Sequence, residues 1–235
     1  MLVTRPKLVL LDVYDTLLDM SEVERRVNEL MRSKRGYALW MEMFFEYCFV
    51  DSCIVQFNDF KSIAKATMKM AAGVFNVSLN DEDFNEVLAL LKQLPLQNHV
   101  AKGLSKLNDL DIRIAALTNS PREIVYERME RSGLISYFEK VLSAEHVGKY
   151  KPWQEVYLWA AKTLELPPAD ILLVTVHGWD LAGANNAGMK TAYVRQSRQM
   201  LYPLAPRPEI TCSDLVDLVD QLGKLDKEQY FKADQ

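Results

Sequence analysis

A small set of polar residues in this sequence has the side chains that hydrolysis through a covalent ester requires. Each follows an apolar run or lies on a loop between two such runs, and the set consists of Asp12, Thr16, Thr118, Lys151 and Asp180. A carboxylate held in line and shielded from water can displace a leaving group and form an ester. Lys151 would keep Asp12 ionised, the threonines would hydrogen-bond the site, and Asp180 would orient Lys151 or activate the hydrolytic water. These residue types therefore predict hydrolysis through an aspartyl ester on Asp12.

Several of these residues also have a purely structural interpretation. Asp12 at the end of a strand is suited to cap a following helix, and Thr16 and Thr118 are suited to cap turns. His177 taken alone is more often a hydrogen-bonded loop residue than a catalyst, although an ordinary histidine titrates near neutrality. The choice between structure and chemistry therefore depends on whether the chain brings these residues together.

Four apolar runs have the length and the endings of buried parallel strands. They cover residues 8–11, 112–117, 171–174 and 191–194. Stretches with helical spacing separate them, around residues 124–131, 155–164 and 181–187. This alternation predicts an α/β fold with a doubly wound, Rossmann-like parallel sheet. Ligands bind beyond the carboxyl ends of such strands, so the polar residues that end these runs are expected to meet at one edge.

A long insertion separates the first two predicted strands. It runs from about residue 20 to residue 97, has largely helical apolar spacing and contains no proline before Pro95. We interpret it as a helical cap subdomain, with a break between two cap helices near Gly36. The predicted domains are a core of residues 1–18 and 98–235 and a cap of residues 19–97.

Composition and charge exclude several classes of protein. The 235 residues carry a net charge of -4, with 28 Lys plus Arg against 32 Asp plus Glu, which disfavours nucleic-acid binding and a basic membrane surface. No apolar stretch approaches the length of a membrane span, and no export signal is evident at the N-terminus. Three cysteines do not make a disulfide framework. We therefore expect a cytoplasmic protein whose partner is a small-molecule substrate.

The motifs together resemble those of the haloacid dehalogenase superfamily. They are LVLLDVYDTL at 8–17, ALTNS at 116–120, Lys151-Pro152, and Asp180 followed by LAGANNAG. The sequence is most similar to the L-2-haloacid dehalogenase branch, which has a tyrosine two residues after the nucleophile, as Tyr14 is here, and a tryptophan before the late acid, as Trp179 is here. The resemblance covers the core and extends into the cap, and it implies a homodimer as one assembly.

The resemblance also implies a set of substrate-binding positions, some of which are equally suited to plain core packing. They are Tyr14, Met41, Phe60, Asn119, Tyr157, Thr175, His177 and Trp179. Two of them depart from the branch. Met41 stands where the branch has a cap arginine for the halide and the substrate, with Glu42 beside it, and His177 stands in place of an asparagine. Arg32 and Arg35 are the cap cations that would have to replace the missing guanidinium.

Two departures separate the sequence from the phosphatases of the superfamily. Tyr14 replaces the second aspartate that protonates the leaving oxygen. Thr175-Val176 replaces the Gly-Asp pair that supplies a magnesium ligand, so no metal and no cofactor are expected; if Mg²⁺ is bound, Asp12 and Asp180 are its ligands. Three interpretations stay open: a dehalogenase-like hydrolase of unresolved substrate, a magnesium-dependent small-molecule phosphatase, and a non-catalytic binding protein.

Overall fold

The computed structural model describes residues 5–197 and 199–233; the ends of the predicted core domain and Arg198 lie outside these ranges. The described strands are β1 (Leu8–Leu11), β2 (Arg113–Thr118), β3 (Lys140–Ser143), β4 (Ile171–Thr175), β5 (Lys190–Val194) and β6 (Ile210–Cys212). The described α-helices are α1 (Ser21–Leu30), α2 (Gly36–Cys53), α3 (Phe60–Val74), α4 (Asp81–Leu91), α5 (Val100–Asp109), α6 (Arg122–Arg131), α7 (Gln154–Thr163), α8 (Gly178–Asn186) and α9 (Leu215–Ala233).

The strands form one parallel sheet in the order β3-β2-β1-β4-β5-β6. From β1 the chain first builds outward through β2 and β3, then crosses to the other side of β1 and continues through β4, β5 and β6. This confirms the predicted doubly wound α/β fold. The strand order reverses at β1, and Leu11 is in register with Ala116 of β2 and Val174 of β4. Asp12 therefore leaves the sheet at its switch point, between the ends of both neighbouring strands.

Side chains of β1 alternate between two cores, one on each face of the sheet. Val9 and Leu11 belong to the larger core, which continues into the cap. Leu8 and Leu10 belong to the smaller core on the opposite face. All four are completely buried, and each contributes about 1.5–3 kcal/mol relative to an exposed side chain. This rigid central strand fixes the position of the residue that follows it.

The apolar runs do not predict the two strands at the edges of the sheet, β3 and β6. Both β3 and β6 are short, with four and three residues. β3 begins at the exposed Lys140, and the middle residue of β6, Thr211, is also exposed. Short strands with exposed positions do not produce the continuous apolar runs that identify central strands.

Helices α1 to α4 form the cap above the carboxyl edge of the sheet. The chain enters and leaves the cap side by side, where Leu18 pairs with Leu96 in an antiparallel bridge. The expected break near Gly36 is present, because α1 ends before it and α2 begins at it. A Cβ atom on Gly36 would lie 2.8 Å from the Cβ of Met31, so the close turn between the two helices requires glycine. In the described part of the chain, no helix is both long enough and apolar enough to span a membrane.

Candidate active site

Asp12 lies at the centre of a hydrogen-bonded cluster beyond β1. Its carboxylate is buried, with Oδ1 accepting from Lys151 Nζ at 2.8 Å and Oδ2 accepting from Thr16 Oγ1 at 2.7 Å. Thr175 Oγ1, at the end of β4, is 3.2 Å from Oδ2 and donates to the same oxygen. Both carboxylate oxygens are thus held by donors from separate parts of the chain. A helix-capping role does not explain this arrangement, because none of these donors is a backbone N–H of a helix.

The buried ammonium of Lys151 connects the predicted catalytic acids. Its Nζ donates to Asp12 Oδ1 and to Asp180 Oδ2, each at 2.8 Å, and to the Leu117 carbonyl at 3.0 Å. Only 1% of the lysine side chain is exposed, so its charge is balanced by the carboxylates rather than by water. The lysine therefore holds Asp12 at a fixed position.

The pKa values within this cluster follow from burial and charge. Burial alone would raise the pKa of Asp12, but the charges of Lys151 and His177 and the hydrogen bonds from Lys151 and Thr16 hold it below its usual 3.8. Burial disfavours the charged form of Lys151, but Asp12 and Asp180 raise its pKa above 10.5. Asp12 is therefore ionised and Lys151 protonated at neutral pH, as a carboxylate nucleophile requires.

Asp180 orients Lys151 from behind. None of its side chain is exposed; Oδ2 accepts from Lys151, and Oδ1 accepts from the Tyr157 hydroxyl at 2.6 Å. Burial raises the pKa of Asp180. Neither Asp180 nor Tyr157 lines the open pocket. Of the two roles predicted for Asp180, this geometry supports the orientation of Lys151, and it places Tyr157 behind the acid rather than against a substrate.

The end of β2 contributes a second layer of contacts. Thr118 lines the pocket, but its hydroxyl accepts from the Ser120 N–H at 3.0 Å. The Asn119 side chain binds the Lys151 backbone: it accepts from the N–H at 2.8 Å and donates to the carbonyl at 3.3 Å. The Tyr14 hydroxyl is 3.2 Å from Ser120 Oγ, and burial raises the pKa of Tyr14 to about 12. These contacts support the walls of the pocket.

His177 lies beside the nucleophile at the start of α8. Its Nε2 is 3.3 Å from the Tyr14 carbonyl oxygen and 3.6 Å from Asp12 Oδ2. Since a carbonyl only accepts, Nε2 carries the hydrogen in this contact. The imidazole stacks on Trp179, with ring centroids 5.2 Å apart and an interplanar angle of 17°. An N–H group is thus fixed near the nucleophilic carboxylate.

The cap and the core together line a cavity of about 670 Å³ over Asp12, which is partly open to solvent. Met41 and Glu42 of α2 both line it, so the expected arginine position faces the site with an apolar side chain and an acid beside it. Phe60 also lines the cavity, and Phe45 packs on Trp179 at 5.0 Å between ring centroids. Neither Arg32 nor Arg35 is among the residues that line the cavity in the described ranges.

Several lining residues were not predicted from the sequence. They are Asp15, Asp19, Glu24, Gln97, Ser120, Gln196, Ser197 and Gln199. Gln196 donates to the Asp15 carbonyl at 2.8 Å. It follows β5, so the rule that ligands bind at the carboxyl ends of strands, applied to this strand as well, would have found it.

The donor set has few of the properties of a magnesium site. Asp180 is enclosed by Lys151 and Tyr157, and Val176 follows β4. Within residues 5–197 and 199–233, no group of three or more His, Cys, Asp or Glu side chains is arranged to hold a metal. Magnesium favours octahedral oxygen ligation, whereas here the ammonium of Lys151 lies between the two carboxylates. Activity without a metal remains a prediction.

Comparisons with known proteins agree with this site. A sequence model described as haloacid dehalogenase-like hydrolase matches residues 9–194. Similar proteins include (S)-2-haloacid dehalogenase 4A of Burkholderia cepacia, 27% identical over 83% of this chain and 86% of the relative. Another is the (S)-2-haloacid dehalogenase of Pseudomonas sp. (strain YL), 24% identical over 89% of this chain and 91% of the relative.

A solved structure has the same fold. It is the L-2-haloacid dehalogenase from Xanthobacter autotrophicus with chloropropionic acid covalently bound, which has a TM-score of 0.81 and 21% identity and covers 93% of this chain and 98% of that chain. The fold and the buried carboxylate–lysine–carboxylate cluster define a hydrolase with a capped Rossmann-like core. The chain belongs to the haloacid dehalogenase-like hydrolase family. The predicted superfamily is confirmed, and so is the predicted similarity to L-2-haloacid dehalogenases.

Proposed function

We propose that this chain releases halide from a small 2-halocarboxylic acid by hydrolysis through an ester on Asp12. The observation that carries the proposal is the environment of that carboxylate. Lys151 binds one of its oxygens, and Thr16 and Thr175 bind the other, at the floor of the cavity between core and cap. The names of the similar proteins support the choice of substrate class.

The first step forms the ester. A carboxylate oxygen of Asp12 attacks the carbon that bears the halogen, and the carbon–halogen bond breaks with its electron pair leaving on the halide. Lys151 keeps the nucleophile ionised, and burial of the Asp12 carboxylate limits its hydration, which favours displacement in line. Apolar and aromatic walls, such as Met41 and Phe60, suit the alkyl part of a small substrate.

The second step hydrolyses the ester. Water adds to the carbonyl carbon of the Asp12 ester, and the resulting negative charge requires hydrogen-bond donors that are already in place. The Thr16 and Thr175 hydroxyls, which already bind Oδ2, supply them. Collapse of the intermediate returns the Asp12 carboxylate and releases a 2-hydroxy acid, so one water is consumed and one halide and one proton are released.

The experiment measures halide release by the purified protein from both enantiomers of 2-chloropropionate and 2-bromopropionate, without added metal. The amide 2-chloropropionamide tests whether the substrate carboxylate is needed, and small phosphomonoesters with Mg²⁺ test the phosphatase alternative. We expect halide release from one enantiomer of the acid and loss of it in Asp12→Asn. Magnesium-dependent phosphate release without halide release would overturn the proposal.

A further inference from the structure

A buried polar cluster outside the reaction site joins the cap to the residue before Lys151. Tyr150 is completely buried where the core meets the end of α2. Its hydroxyl donates to the Asn58 carbonyl at 2.7 Å, and its backbone N–H donates to Ser52 Oγ at 3.1 Å. Both partners belong to the cap, whereas Tyr150 belongs to the core loop that carries the catalytic lysine. We call Tyr150, Ser52, Asn58 and Asp51 the clasp.

The cap side of the clasp is itself fixed. Asp51 is buried at the end of α2, and its Oδ2 accepts from the Asn58 N–H at 3.0 Å and from Asn58 Nδ2 at 2.9 Å. The Ser52 hydroxyl donates to the Cys48 carbonyl within α2 at 2.9 Å, which leaves its oxygen to accept from Tyr150. The acceptors that Tyr150 meets are thus held by α2 and by the loop that follows it.

The core side of the clasp leads directly to the reacting groups. Lys151 is the next residue after Tyr150, and the Asn119 side chain binds its backbone from the core side. Its Nζ contacts Asp12 and Asp180 at 2.8 Å. Because the lysine side chain ends in a buried cluster, a shift of its backbone would displace its ammonium from both carboxylates.

A single helix makes both groups of contacts. Phe45 and Phe49 of α2 pack on Trp179, with ring centroids 5.0 and 5.9 Å apart, and Ser52 of the same helix reaches Tyr150. The spacing of four and three residues puts these side chains on one face of α2. A shift in the position of α2 would therefore displace both Tyr150, the neighbour of Lys151, and Trp179, which stacks on His177.

We propose that Tyr150 is a positioning residue, through which the seated cap fixes Lys151 against Asp12. The mechanism derived above for Lys151 does not use the clasp, and the Tyr150 side chain does not line the cavity. The catalytic consequence rests on the proposed function, whereas the structural consequence for the Lys151 loop does not.

The test compares three variants that each remove one buried hydroxyl. Tyr150→Phe and Ser52→Ala remove the two clasp contacts. Thr67→Val is the matched control, because the Thr67 hydroxyl is buried in cap helix α3 and bonds only carbonyls of its own helix. Amide hydrogen exchange of peptides covering residues 149–153 should increase in both clasp variants and stay unchanged in the control. This readout requires no turnover.

Turnover supplies the second readout. One lost hydrogen bond changes a rate by about fivefold to tenfold if it acts on the reacting geometry. We expect kcat to fall by that factor in Tyr150→Phe, with KM within about twofold, and kcat to be retained in Thr67→Val. The acid limb of the kcat/KM profile should move to higher pH, because Asp12, which also faces His177, Asp15 and Asp180, loses part of the influence of Lys151.

The outcomes separate the two proposals. Unchanged exchange at 149–153 in both clasp variants would overturn the positioning role, whatever the substrate is. Increased exchange with unchanged kcat and an unchanged acid limb would also overturn it, because the loop would then move without affecting catalysis. If the wild-type protein releases no halide, the proposed function fails, while the exchange result still decides whether the clasp fixes the loop.

Discussion

At the level of single residues, the proposed reaction depends on the Lys151 ammonium, which lies between the carboxylates of Asp12 and Asp180. Lys151, with His177 and Thr16, holds Asp12 ionised, and the Asp180 carboxylate accepts hydrogen bonds from that lysine and from Tyr157. Such a buried cluster is costly to break, because removing one partner leaves uncompensated charge. Catalysis and stability are therefore coupled at this position.

Replacing Lys151 by methionine tests that coupling. We expect Lys151→Met to lower the free energy of unfolding by about 3–5 kcal/mol, because Asp12 and Asp180 lose their buried partner. Halide release should fall to background, since Asp12 loses the cation that holds its carboxylate in place and that offsets the effect of burial on its pKa. Urea denaturation and halide assays measure both effects. The control Lys65→Met, which removes an exposed contact with Asp81, should change stability by about 1 kcal/mol or less.

The wild-type pH profile follows from the same contact. Because the pKa of Asp12 is lowered, the nucleophile stays ionised as the pH falls through the usual range of carboxyl groups. Activity that depends on its ionised form is retained above that lowered pKa and is lost only below it. An acid limb of kcat/KM above neutrality, measured for a confirmed substrate, would contradict this assignment.

Met41 tests how the substrate carboxylate is recognised. Met41 lines the cavity beside Glu42, at the position where the related dehalogenase branch has arginine. We expect Met41→Arg to lower KM for the 2-halocarboxylate about tenfold or more, since a charge-assisted hydrogen bond contributes about 1.5–3 kcal/mol. The neutral amide should gain nothing. The uncharged variant Met41→Gln is the control for shape; an equal gain for acid and amide would show that charge recognition is not the cause.

At the scale of elements, the site depends on close approach between α8 and the lysine loop. A Cβ atom on Gly183 would lie 2.6 Å from the Cβ of Pro152 and 2.7 Å from the ring of Tyr157. Glycine therefore lets α8 bring Asp180 within reach of Lys151. A side chain at this position would push the helix away from the loop.

Gly183→Ala should consequently destabilise the protein by about 1–3 kcal/mol, the usual cost of overpacking. Thermal unfolding of the variant measures this effect. Gly73→Ala in α3 is a matched control: nothing lies within 4 Å of its added Cβ, so the better helix propensity of alanine should stabilise by about 0.5–1 kcal/mol. A stabilised Gly183→Ala variant would refute the packing argument.

Prediction from sequence succeeded best for the central elements. Continuous apolar runs locate β1, β2, β4 and β5, and the polar residues that end them locate the site. The short edge strand β3, with its exposed Lys140, lacks that signal. The contacts of Asp180 with Lys151 and Tyr157 required three dimensions, because sequence spacing does not distinguish an acid that orients a lysine from one that faces water.

At the level of the whole molecule, core and cap together form the cavity in which the proposed reaction takes place. Residues from both lie on its wall, from Asp12 at the sheet edge to Phe60 on the cap. The sequence predicted a cap over this edge and placed Met41 at the site, but the rest of the α2 face that lines the cavity could not be predicted. That face is set by tertiary packing, since Trp40 donates to the Ala64 carbonyl of α3 at 3.0 Å.

Metal independence is the prediction that concerns the whole site. Because Lys151 lies between Asp12 and Asp180, halide release should be unchanged after exhaustive chelation with EDTA and after addition of Mg²⁺. Initial rates before and after chelation measure this directly. A loss of activity on chelation that Mg²⁺ restores would show that a metal ion takes part in the reaction. That result would contradict the prediction that Lys151 is the cation that the two carboxylates need.

Isotope transfer from water tests most directly whether Asp12 forms an ester with the substrate. The reaction is run in H₂¹⁸O with protein in excess over substrate, and the peptide that contains Asp12 and the hydroxy acid product are analysed by mass spectrometry. If water hydrolyses an ester on Asp12, ¹⁸O is found in the Asp12 carboxylate and ¹⁶O in the new hydroxyl of the product. Label in the product alone, with an unlabelled Asp12, would mean that water attacks the substrate directly and that Asp12 forms no ester.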